Sequence, residues 1–318
     1  MNRLALVAIG GNSMIRSGQK GTIEEQRENA EQTAQHLVAL LKIGYRIVLT
    51  HGNGPQVGNQ LLRAEAGTKY LNVQPVPLDV CGADTQGSIG YILQQSLRNV
   101  LESKRMFLSV AALVTQCVVD ENDAGFWYPS KPIGPFFSKE EANAKIKEHQ
   151  WVMKEDAGRG YRSLVASPKP IEIVEEEIIH TLVDKNYIVI ACGGGGIPVI
   201  KKNGKIIGVE AVIDKDRASA FLARKLNADY FIISTDTEKV CLNYRNPDQI
   251  TLDTMTLDEA KKYLAEGQFP AGNMGPKIEA VIDFLANGGH TAIITNPENI
   301  LKAVKGETGT RILAKGNG

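Results

Sequence analysis

Several short stretches of the chain are continuously apolar and rich in Val and Ile. A strand has this composition when helices cover both faces of its sheet, as they do in parallel α/β sheets. Helical patterns separate these stretches, and the alternation predicts a doubly wound, mainly parallel sheet with right-handed crossovers. The predicted strands are Leu4–Ile9, Arg46–Thr50, Val110–Val119, Tyr187–Ala191, Tyr230–Ser234 and Thr291–Thr295.

The clearest helical pattern covers residues 22–42, where apolar residues recur at helical spacing. Thr22 is the candidate N-cap, and Glu25 three residues later completes a capping box. Gly288 and Gly289 close the last predicted helix. The remaining predicted helices are Ser88–Glu102, Ile171–Lys185, Arg217–Leu226, Leu257–Glu266 and Pro276–Asn287.

One stretch, Asp120–Pro170, interrupts the alternation. It is polar and charged, yet it contains both tryptophans, Trp127 and Trp151. Because a disordered linker is usually poor in aromatic residues, we interpret it as a small inserted subdomain, called the lid below. A fresh helix–strand series starts after Asp216. We therefore predict an N-terminal domain over residues 1–216, which includes the lid, and a C-terminal domain over residues 217–318.

The charge balance excludes several classes of partner. The 318 residues carry 36 basic and 36 acidic side chains, so no net field attracts nucleic acid or anionic lipid. No apolar run reaches the roughly 18–20 residues that span a bilayer, and the first residues lack a signal-peptide pattern. The four cysteines form no C-x-x-C pair. These features predict a soluble α/β protein of the cytoplasm that binds neither nucleic acid nor membrane.

Glycine-rich turns concentrate where the predicted strands end. Ligands of an open parallel sheet bind beyond the carboxyl ends of its strands. Glycine lets backbone N–H groups approach an anion closely, and a following helix N-terminus favours negative charge. The turns are residues 10–13, 51–58, 192–196 and 270–277, the last of which opens a helix and ends in a lysine.

Any one of these turns could be a tight strand-to-helix connection, but the set favours an anion site. Neither standard nucleotide fingerprint is present. The chain has no G-x-x-x-x-G-K-[ST] sequence, and the turn at residues 51–58 reads G-x-G-x-x-x-G, one residue too long for the dinucleotide motif. We therefore expect a phosphate site of another kind.

Three lysines are candidates for contacting a transferred phosphoryl group. Lys215 stands between Asp214 and Asp216 at a predicted helix start, and Lys277 lies in the first turn of another helix. A cation there opposes the helix dipole unless an anion is also present. Converging lysines would neutralise the phosphoryl oxygens, and Asp216 could hold Lys215 and Lys277 in place. Asp214 and Asp216 could instead be helix caps, of which Asp214 is the better candidate.

The alternative for Lys131, which lies in a proline-rich loop of the lid, is a solvated surface residue. His51 ends a strand before glycines, and we favour a structural hydrogen bond in its turn over general-base catalysis. Cys192 precedes four glycines, and we favour a small packed side chain over a nucleophile. The five histidines are too dispersed for metal-ligand spacing, so no metal site is expected.

Six blocks of the sequence together resemble the carbamate kinases of the amino acid kinase superfamily. The likeness runs from the first predicted strand to the last, with all blocks in order. The loop at residues 130–135 is the block that distinguishes carbamate kinases from acetylglutamate, aspartate and uridylate kinases. The blocks are residues 10–12 (GGN), 51–58 (HGNGPQVG), 130–135 (SKPIGP), 192–199 (CGGGGIPV), 210–216 (EAVIDKD) and 272–277 (GNMGPK).

The resemblance implies a reversible phosphoryl transfer between ATP and carbamate that gives ADP and carbamoyl phosphate. It implies Mg²⁺ carried on the nucleotide, a homodimer of three-layer αβα subunits, and a protruding subdomain over the site. In fermentative catabolism of the arginine or purine type, the direction would be ATP synthesis. The N-terminal domain would bind carbamate or carbamoyl phosphate, and the C-terminal domain would bind the nucleotide.

The resemblance also assigns roles by position. Lys131 would reach in from the lid, Lys215 and Lys277 would stabilise the transition state, and Asp216 would organise them. Residues that would cradle carbamate and the transferred phosphoryl group are Gly10, Gly11, Asn12, Gly52, Asn53, Gly54, Gly193, Gly194 and Gly195. Residues that would flank the nucleotide are Ser234, Thr235, Asp236, Val240 and Met274, together with Lys277.

The sequence departs from the family at a few positions. Ser13 and Asn273 stand where Ala and Ser are usual, and residues 235–240 are more charged than the usual apolar version. None of these changes removes a proposed catalytic group. Two alternatives stay open: another kinase of the superfamily with a different small acid, or a non-catalytic sensor of nucleotide or carbamoyl phosphate.

Overall fold

The computed structural model describes residues 3–16, 18–155, 158, 160–270 and 273–314, with only the backbone at Asn12 and His149. Strands and helices alternate along most of this length. The strands are β1 (Leu4–Ile9), β2 (Arg46–His51), β3 (Val110–Ala112), β4 (Gln116–Val119), β5 (Lys131–Phe137), β6 (Val152–Glu155), β7 (Tyr161–Val165), β8 (Pro170–Ile173), β9 (Ile188–Ile190), β10 (Ile197–Lys202), β11 (Lys205–Gly208), β12 (Tyr230–Ser234), β13 (Val240–Leu242), β14 (Ile250–Leu252), β15 (Thr254–Thr256), β16 (Thr291–Thr295) and β17 (Thr310–Leu313).

Helices occupy both faces of the largest sheet, and short 3₁₀ turns at Gly11–Ser13, Gly193–Gly195 and Pro297–Asn299 follow strands β1, β9 and β16. The helices are α1 (Ile23–Lys42), α2 (Gly54–Leu71), α3 (Leu78–Ser103), α4 (Ala124–Trp127), α5 (Lys139–His149), α6 (Glu176–Asp184), α7 (Lys215–Lys225), α8 (Leu257–Ala265), α9 (Met274–Ala286) and α10 (Ile300–Lys305).

The main sheet has the strand order β15-β17-β16-β12-β1-β2-β9-β3. Its neighbours pair in parallel, except β16 with β17. One apolar core joins its strands to α7 and α9, and a second joins them to α1, α3 and α10. Because both faces are covered, the central strands are continuously apolar. The predicted α/β class, with helices on both faces of a mainly parallel sheet, is confirmed.

The capping box of α1 is confirmed. The Glu25 amide donates to Thr22 Oγ1 (3.3 Å), and the Thr22 amide donates to Glu25 Oε2 (2.9 Å). These bonds satisfy backbone donors that have no partner within the helix. The helix therefore begins where the sequence predicted.

Two predicted elements are wrong. Val110–Val119 is not one strand: β3 is at the edge of the main sheet, whereas β4 pairs with β8 and β10 in a four-stranded sheet. The Thr115 amide between them donates to Gln86 Oε1 of α3 (2.8 Å), which turns the chain out of the main sheet. Ile171–Lys185 is not one helix, because its first residues form β8 and α6 begins only at Glu176.

The sequence prediction lacks α2, the first ten residues of α3, and the shorter helices α4, α5 and α10. Helix α2 carries Gly54, Gly58 and Gly67, and Pro55 in its first turn, a composition that favours a turn. Proline is tolerated at that position because the first N–H groups of a helix have no intrahelical partner. Helix α3 begins at Leu78, ten residues before the predicted start at Ser88.

The lid leaves the four-stranded sheet after β4 and returns to it through β8, the antiparallel neighbour of β4. Between these strands the chain forms a separate sheet of order β5-β7-β6, with α5 beside it. Trp127 ends α4 and is 73 % exposed. Trp151 packs edge-on against Phe137, with 6.4 Å between ring centroids. Both tryptophans thus belong to the lid.

The predicted boundary at residue 216 falls inside α7, which begins at Lys215. The division into two domains stays a prediction. In the part of the chain that the structure describes, no helix is both long and apolar enough to cross a bilayer.

Candidate functional site

A cavity of about 1200 Å³ opens at the carboxyl edge of the main sheet, where β1 and β12 end. In doubly wound sheets this edge is the usual place for a ligand. The cavity is lined by Gly10, Gly11, Ser13, Arg16, Thr33, His36, Lys215, Ser234, Thr235, Asp236, Thr237, Tyr244, Arg245, Pro270, Asn273, Lys277, Asn296, Pro297 and Glu298.

The turn after β1 brings the backbone to this cavity. The Gly10 amide donates to the carbonyl of Ser234 at the end of β12 (3.1 Å), and a 3₁₀ turn starts at Gly11. Gly52 lies close by, because a Cβ atom there would be 3.3 Å from Lys215 Cδ and 3.6 Å from the Gly11 nitrogen. The turns after β1 and β2 therefore meet beside Lys215. The backbone of Asn12 lies in this 3₁₀ turn, and its side chain is outside the described residues.

Asp216 bridges two of the predicted lysines. Lys215 Nζ donates to Asp216 Oδ1 (2.8 Å), and Lys277 Nζ donates to Asp216 Oδ2 (3.2 Å). All three side chains are nearly buried, yet both lysines line the cavity. Lys215 begins α7 and Lys277 lies in the first turn of α9, so two helix N-termini each bring a lysine to the same carboxylate. The two ammonium groups thus share one carboxylate at the cavity wall.

The pKa values in this cluster reflect burial opposed by ion pairing. Burial lowers the pKa of Lys215, and the pairing with Asp216 recovers only part of the shift. For Lys277, burial also opposes the charge, but Asp216 and Asp214 outweigh it and the pKa is raised. The pKa of Asp216 is lowered, since Lys215 and Lys277 outweigh its burial. Lys277 and Asp216 are therefore ionised at neutral pH.

Lys131 reaches the same cluster from the lid, by an ion pair with Asp214 Oδ2. The predicted cap at Asp214 is confirmed: its Oδ1 accepts the amides of Asp216 (2.9 Å) and Arg217 (3.4 Å). Burial works to raise the pKa of Asp214, but Lys131, Lys277 and Lys215 lower it well below the ordinary range. Asp214 is thus an anion between the lid and the main sheet.

The lid is also in backbone contact with α2. A Cβ atom on Gly58 would be 2.0 Å from Gly134 Cα, and Gly134 has φ +74°. Gly54 is beside the same strand, 3.9 Å from Pro132 O when a Cβ is added. Only glycine at position 58 allows the lid strand β5 to come this close.

The turn after β9 is packed just as closely, and two of the predicted substrate residues, Gly193 and Gly194, lie in it. A Cβ on Gly193 would be 2.3 Å from His51 Nε2, and one on Gly194 would be 2.2 Å from Asn53 Nδ2. Asn53 Nδ2 donates to Thr85 Oγ1 (2.8 Å). Of these turn residues, Gly52 lies beside Lys215, whereas Gly193 and Gly194 pack on His51 and Asn53. The residues that line the large cavity include none of Gly52, Asn53, Gly54 and Gly193–Gly195.

His51 and Cys192 have the structural roles that we favoured. His51 is buried, its Nδ1 is 3.1 Å from the Gly52 carbonyl, and burial lowers its pKa to about 4. The pKa of the Cys192 thiol is raised by a hydrogen bond with Cys117 and by burial. A neutral imidazole bonded within its own turn is not placed as a general base, and an un-ionised buried thiol is a poor nucleophile.

Most of the predicted nucleotide residues lie on the cavity wall. Ser234, Thr235 and Asp236 line it at the end of β12. Met274 lines a small adjoining recess, together with residues that sequence reasoning missed; the recess is lined by Thr237, Lys239, Cys241, Tyr244, Phe269, Pro270, Asn273 and Met274. Val240 lines neither: it is fully buried and its amide donates to Thr310 Oγ1 (2.8 Å).

The cavity residues that the sequence analysis did not name are not marked by any clear sequence pattern. Tyr244 and Arg245 lie in a polar loop without periodicity, and Arg245 has a left-handed φ of +67°. Several buried polar atoms on the cavity wall have no hydrogen-bond partner within the described residues: Ser234 Oγ, Thr237 Oγ1 and Asn296 Oδ1. Such atoms are costly to bury unless a ligand or water pairs with them, so they favour a polar ligand. Across the described ranges, no group of three or more His, Cys, Asp or Glu side chains is arranged to hold a metal ion.

Glycine amides, two carboxylate-bridged lysines and a cavity large enough for a nucleotide meet at one edge of a parallel sheet. This combination is typical of enzymes that transfer a phosphoryl group, because that reaction depends on alignment and charge neutralisation. Comparison with known families identifies the class further. The chain belongs to the amino acid kinase family, whose sequence model matches residues 3–296.

Relatives of full length share this assignment. The chain is 48 % identical over 309 residues to the carbamate kinase of Thermococcus kodakarensis, covering 97 % of this chain and 98 % of the relative. It is 47 % identical over 315 residues to the carbamate kinase-like protein YahI of Escherichia coli, covering 98 % and 99 %. Among solved structures, carbamate kinase from Giardia lamblia bound to AMP-PNP is similar with a TM-score of 0.89, 42 % identity and 98 % coverage of both chains.

Proposed function

We propose that the protein is a carbamate kinase: it transfers a phosphoryl group reversibly between ATP and carbamate, giving ADP and carbamoyl phosphate. The observation that carries the proposal is the pair of lysines bridged by Asp216 at the wall of the large cavity, beside the Gly10–Gly11 turn. The family membership and the names of the relatives agree with it.

The chemistry of carbamate suits this site. Carbamate is already an anion, so its oxygen attacks the γ-phosphorus of ATP without a general base, and the bond from phosphorus to the ADP oxygen breaks. The remaining barrier comes from aligning the reactants and from the negative charge of the transition state. Backbone amides and ammonium groups lower both contributions. Lys215 and Lys277 would neutralise the phosphoryl oxygens and the bridging oxygen, while Asp216 keeps both ammonium groups in place.

The acceptor side would be formed by the glycine turns next to the cluster. Gly10, Gly11, Asn12, Gly52, Asn53 and Gly54 would cradle carbamate and the transferred group, with Gly193, Gly194 and Gly195 on the carbamate side. A side chain has no room at Gly193 or Gly194, because a Cβ there would be 2.3 Å from His51 Nε2 or 2.2 Å from Asn53 Nδ2, so only backbone groups of this turn could face the acceptor. Lys131 would complete the acceptor side from the lid.

The nucleotide would occupy the large cavity and the adjoining recess. Phe269, Tyr244 and Met274 offer an apolar and aromatic surface for a base, and Ser234 Oγ and Asn296 Oδ1 offer unpaired polar atoms. Thr235, Asp236 and Lys277 would flank the phosphates, and Mg²⁺ would enter as part of the nucleotide substrate. Residues 1–216 would then bind carbamate and residues 217–318 the nucleotide.

The biological setting belongs to the same proposal. A cytoplasmic homodimer would make ATP from carbamoyl phosphate during fermentative catabolism of the arginine or purine type. Light scattering after gel filtration tests the dimer, which predicts a mass twice the 34.6 kDa of one chain.

The deciding experiment measures ATP formation from ADP, Mg²⁺ and carbamoyl phosphate, with luciferase to detect the ATP. Parallel reactions in the opposite direction supply ATP with carbamate, acetylglutamate, aspartate or UMP. Turnover confined to carbamate and carbamoyl phosphate supports the proposal. Turnover with another acceptor identifies a different kinase of the family, and binding without any turnover identifies a sensor.

A further inference from the structure

We propose that Asp214 is a positioning residue for the lid lysine. Without ligand, its ion pair holds Lys131 at the carboxyl edge of the main sheet. When carbamoyl phosphate binds, Lys131 leaves Asp214 and contacts the phosphoryl group instead. The inference rests on the proposed function in one respect, the identity of the incoming ligand.

The two oxygens of Asp214 have separate tasks. Oδ1 accepts the amides of Asp216 and Arg217 and thereby caps α7, whereas Oδ2 accepts Lys131 Nζ. The cap can persist when Lys131 leaves. Asp214 can therefore exchange its lysine partner without disturbing the helix that carries Lys215.

The three lysines are held very differently. Lys215 and Lys277 are nearly buried and share Asp216, so their ammonium groups are fixed by the core. The Lys131 side chain is 24 % exposed and extends from a small peripheral sheet. Because a lysine side chain is a flexible stem with a compact charge, Lys131 is the one of the three that can swing from a carboxylate to a phosphoryl oxygen.

The charge balance of the cluster favours such an exchange. Asp214 pairs directly with Lys131, and Lys277 and Lys215 lie near enough to help lower its pKa. A phosphoryl group adds negative charge at the same place and competes with Asp214 for Lys131. Without ligand, Asp214 thus supplies the negative charge that pairs with Lys131.

The lid has other attachments, and these provide a matched control. Lys145 of α5 pairs with Glu65 of α2 (3.6 Å), and its side-chain exposure of 24 % equals that of Lys131. This ion pair joins the lid to α2 rather than to the lysine cluster. Glu65→Gln therefore weakens the lid attachment without removing a group that a phosphoryl ligand replaces.

The test is amide hydrogen exchange in β5 (Lys131–Phe137), measured by mass spectrometry on the full chain. In the ligand-free protein, Asp214→Asn should speed exchange in β5 about tenfold, because a partly buried ion pair is lost. With saturating carbamoyl phosphate and no nucleotide, Asp214→Asn and wild type should exchange alike, since the ligand then holds Lys131. Glu65→Gln should exchange faster than wild type in both states.

A second variant keeps the test valid if the first one is damaged. Asparagine retains the N-cap, so exchange in α7 (Lys215–Lys225) should stay at the wild-type rate in Asp214→Asn. Lys131→Met removes the same ion pair from the other side and leaves α7 unchanged. The double variant should exchange no faster than either single variant, because the two substitutions remove one interaction.

Two results would overturn the inference. One is an unchanged rate in β5 of ligand-free Asp214→Asn and Lys131→Met. The other is a difference from wild type that persists at saturating ligand, which would mean a permanent structural contact. If carbamoyl phosphate alters no peptide of the wild type, the proposed function fails instead, and inorganic phosphate then supplies the phosphoryl oxygens for the same comparison.

Discussion

The main-sheet edge and the lid contribute charge to the same cluster by different means. At the edge, Lys215 and Lys277 come from helices packed in the larger core and are tied to a buried carboxylate. The lid presents Lys131 from a three-stranded sheet with few buried residues, and it is attached by a glycine contact and ion pairs. The edge therefore holds its lysines through a buried core, whereas the lid holds Lys131 through a few surface contacts. Under the proposed function, the edge would stabilise the transition state and the lid would capture the ligand.

The largest expected effect is at the edge. Lys277→Ala should lower kcat for ATP formation about 10³-fold, roughly 4 kcal/mol, because under the proposed function it would remove a fixed charge from the transition state. Steady-state kinetics measure it, with the exposed Lys302→Ala as a control that keeps wild-type turnover. A loss of less than tenfold would contradict the assignment, and Lys215→Ala should behave like Lys277→Ala.

Lys131→Ala tests whether the lid lysine acts on one substrate only. We expect kcat/KM for carbamoyl phosphate to fall about 100-fold, roughly 3 kcal/mol, since under the proposed function the lid lysine would contact that substrate. The dissociation constant of ADP, measured by calorimetry, should stay within about twofold of wild type. Equal losses for both substrates would remove the distinction between lid and edge.

The edge should also respond to acid through His51. Its pKa is about 4 in the folded protein, below the ordinary value of 6.5. Between these values the unfolded chain binds a proton that the folded protein does not, so stability falls as the pH falls. From pH 6.5 to 4.5 the loss from this group is about 2 kcal/mol, by linkage.

Urea unfolding at several pH values measures this effect. His51→Gln should show a shallower dependence of the free energy of unfolding on pH than wild type. His290→Gln, at an exposed histidine, is the matched control for the loss of one imidazole. The same slope in all three proteins would mean that His51 can be protonated in the fold, and the edge would be less rigid than described.

Gly58→Ala probes how the lid rests on α2, and its effect is the smallest. The new methyl group would be 2.0 Å from Gly134 Cα, so β5 has to move away. We expect KM for carbamoyl phosphate to rise about tenfold, roughly 1.4 kcal/mol, with little change in ADP affinity.

Gly67→Ala on the same helix is the matched control for the Gly58 variant. Its methyl group would meet Val73 Cβ at 3.7 Å, an ordinary contact. Both variants gain helix propensity, so only the lid contact separates them. Equal KM values in the two variants would show that the contact at Gly58 does not hold the lid.

Local patterns were enough to predict much of the fold. The bounds of β1, the capping box of α1 and the N-cap at Asp214 all depend on residues adjacent in sequence. Local sequence patterns gave wrong secondary structure where contacts with distant residues determine the fold. The apolar run at residues 110–119 is divided between two sheets at Thr115, whose amide donates to Gln86 Oε1. Helix α2 carries three glycines and packs against both the lid and α3, contacts that no local pattern encodes.

The site shows the same division. That lysines 215 and 277 converge follows from two helix starts at one sheet edge, which sequence reasoning can anticipate. The ion pair of Lys131 with Asp214 joins residues 83 positions apart, and no local spacing encodes it. The recess walls at Tyr244 and Phe269 also lie in loops whose placement depends on tertiary packing.

The placement of both indole rings in the lid has a practical consequence. Light at 295 nm excites tryptophan selectively, so the intrinsic emission of this protein comes from Trp127 and Trp151 alone. Trp127 is largely exposed, and Lys145 Nζ lies 4.9 Å from the Trp151 ring. Stopped-flow emission on mixing with each substrate would therefore show, without any added dye, whether the surroundings of the lid change on binding and how fast.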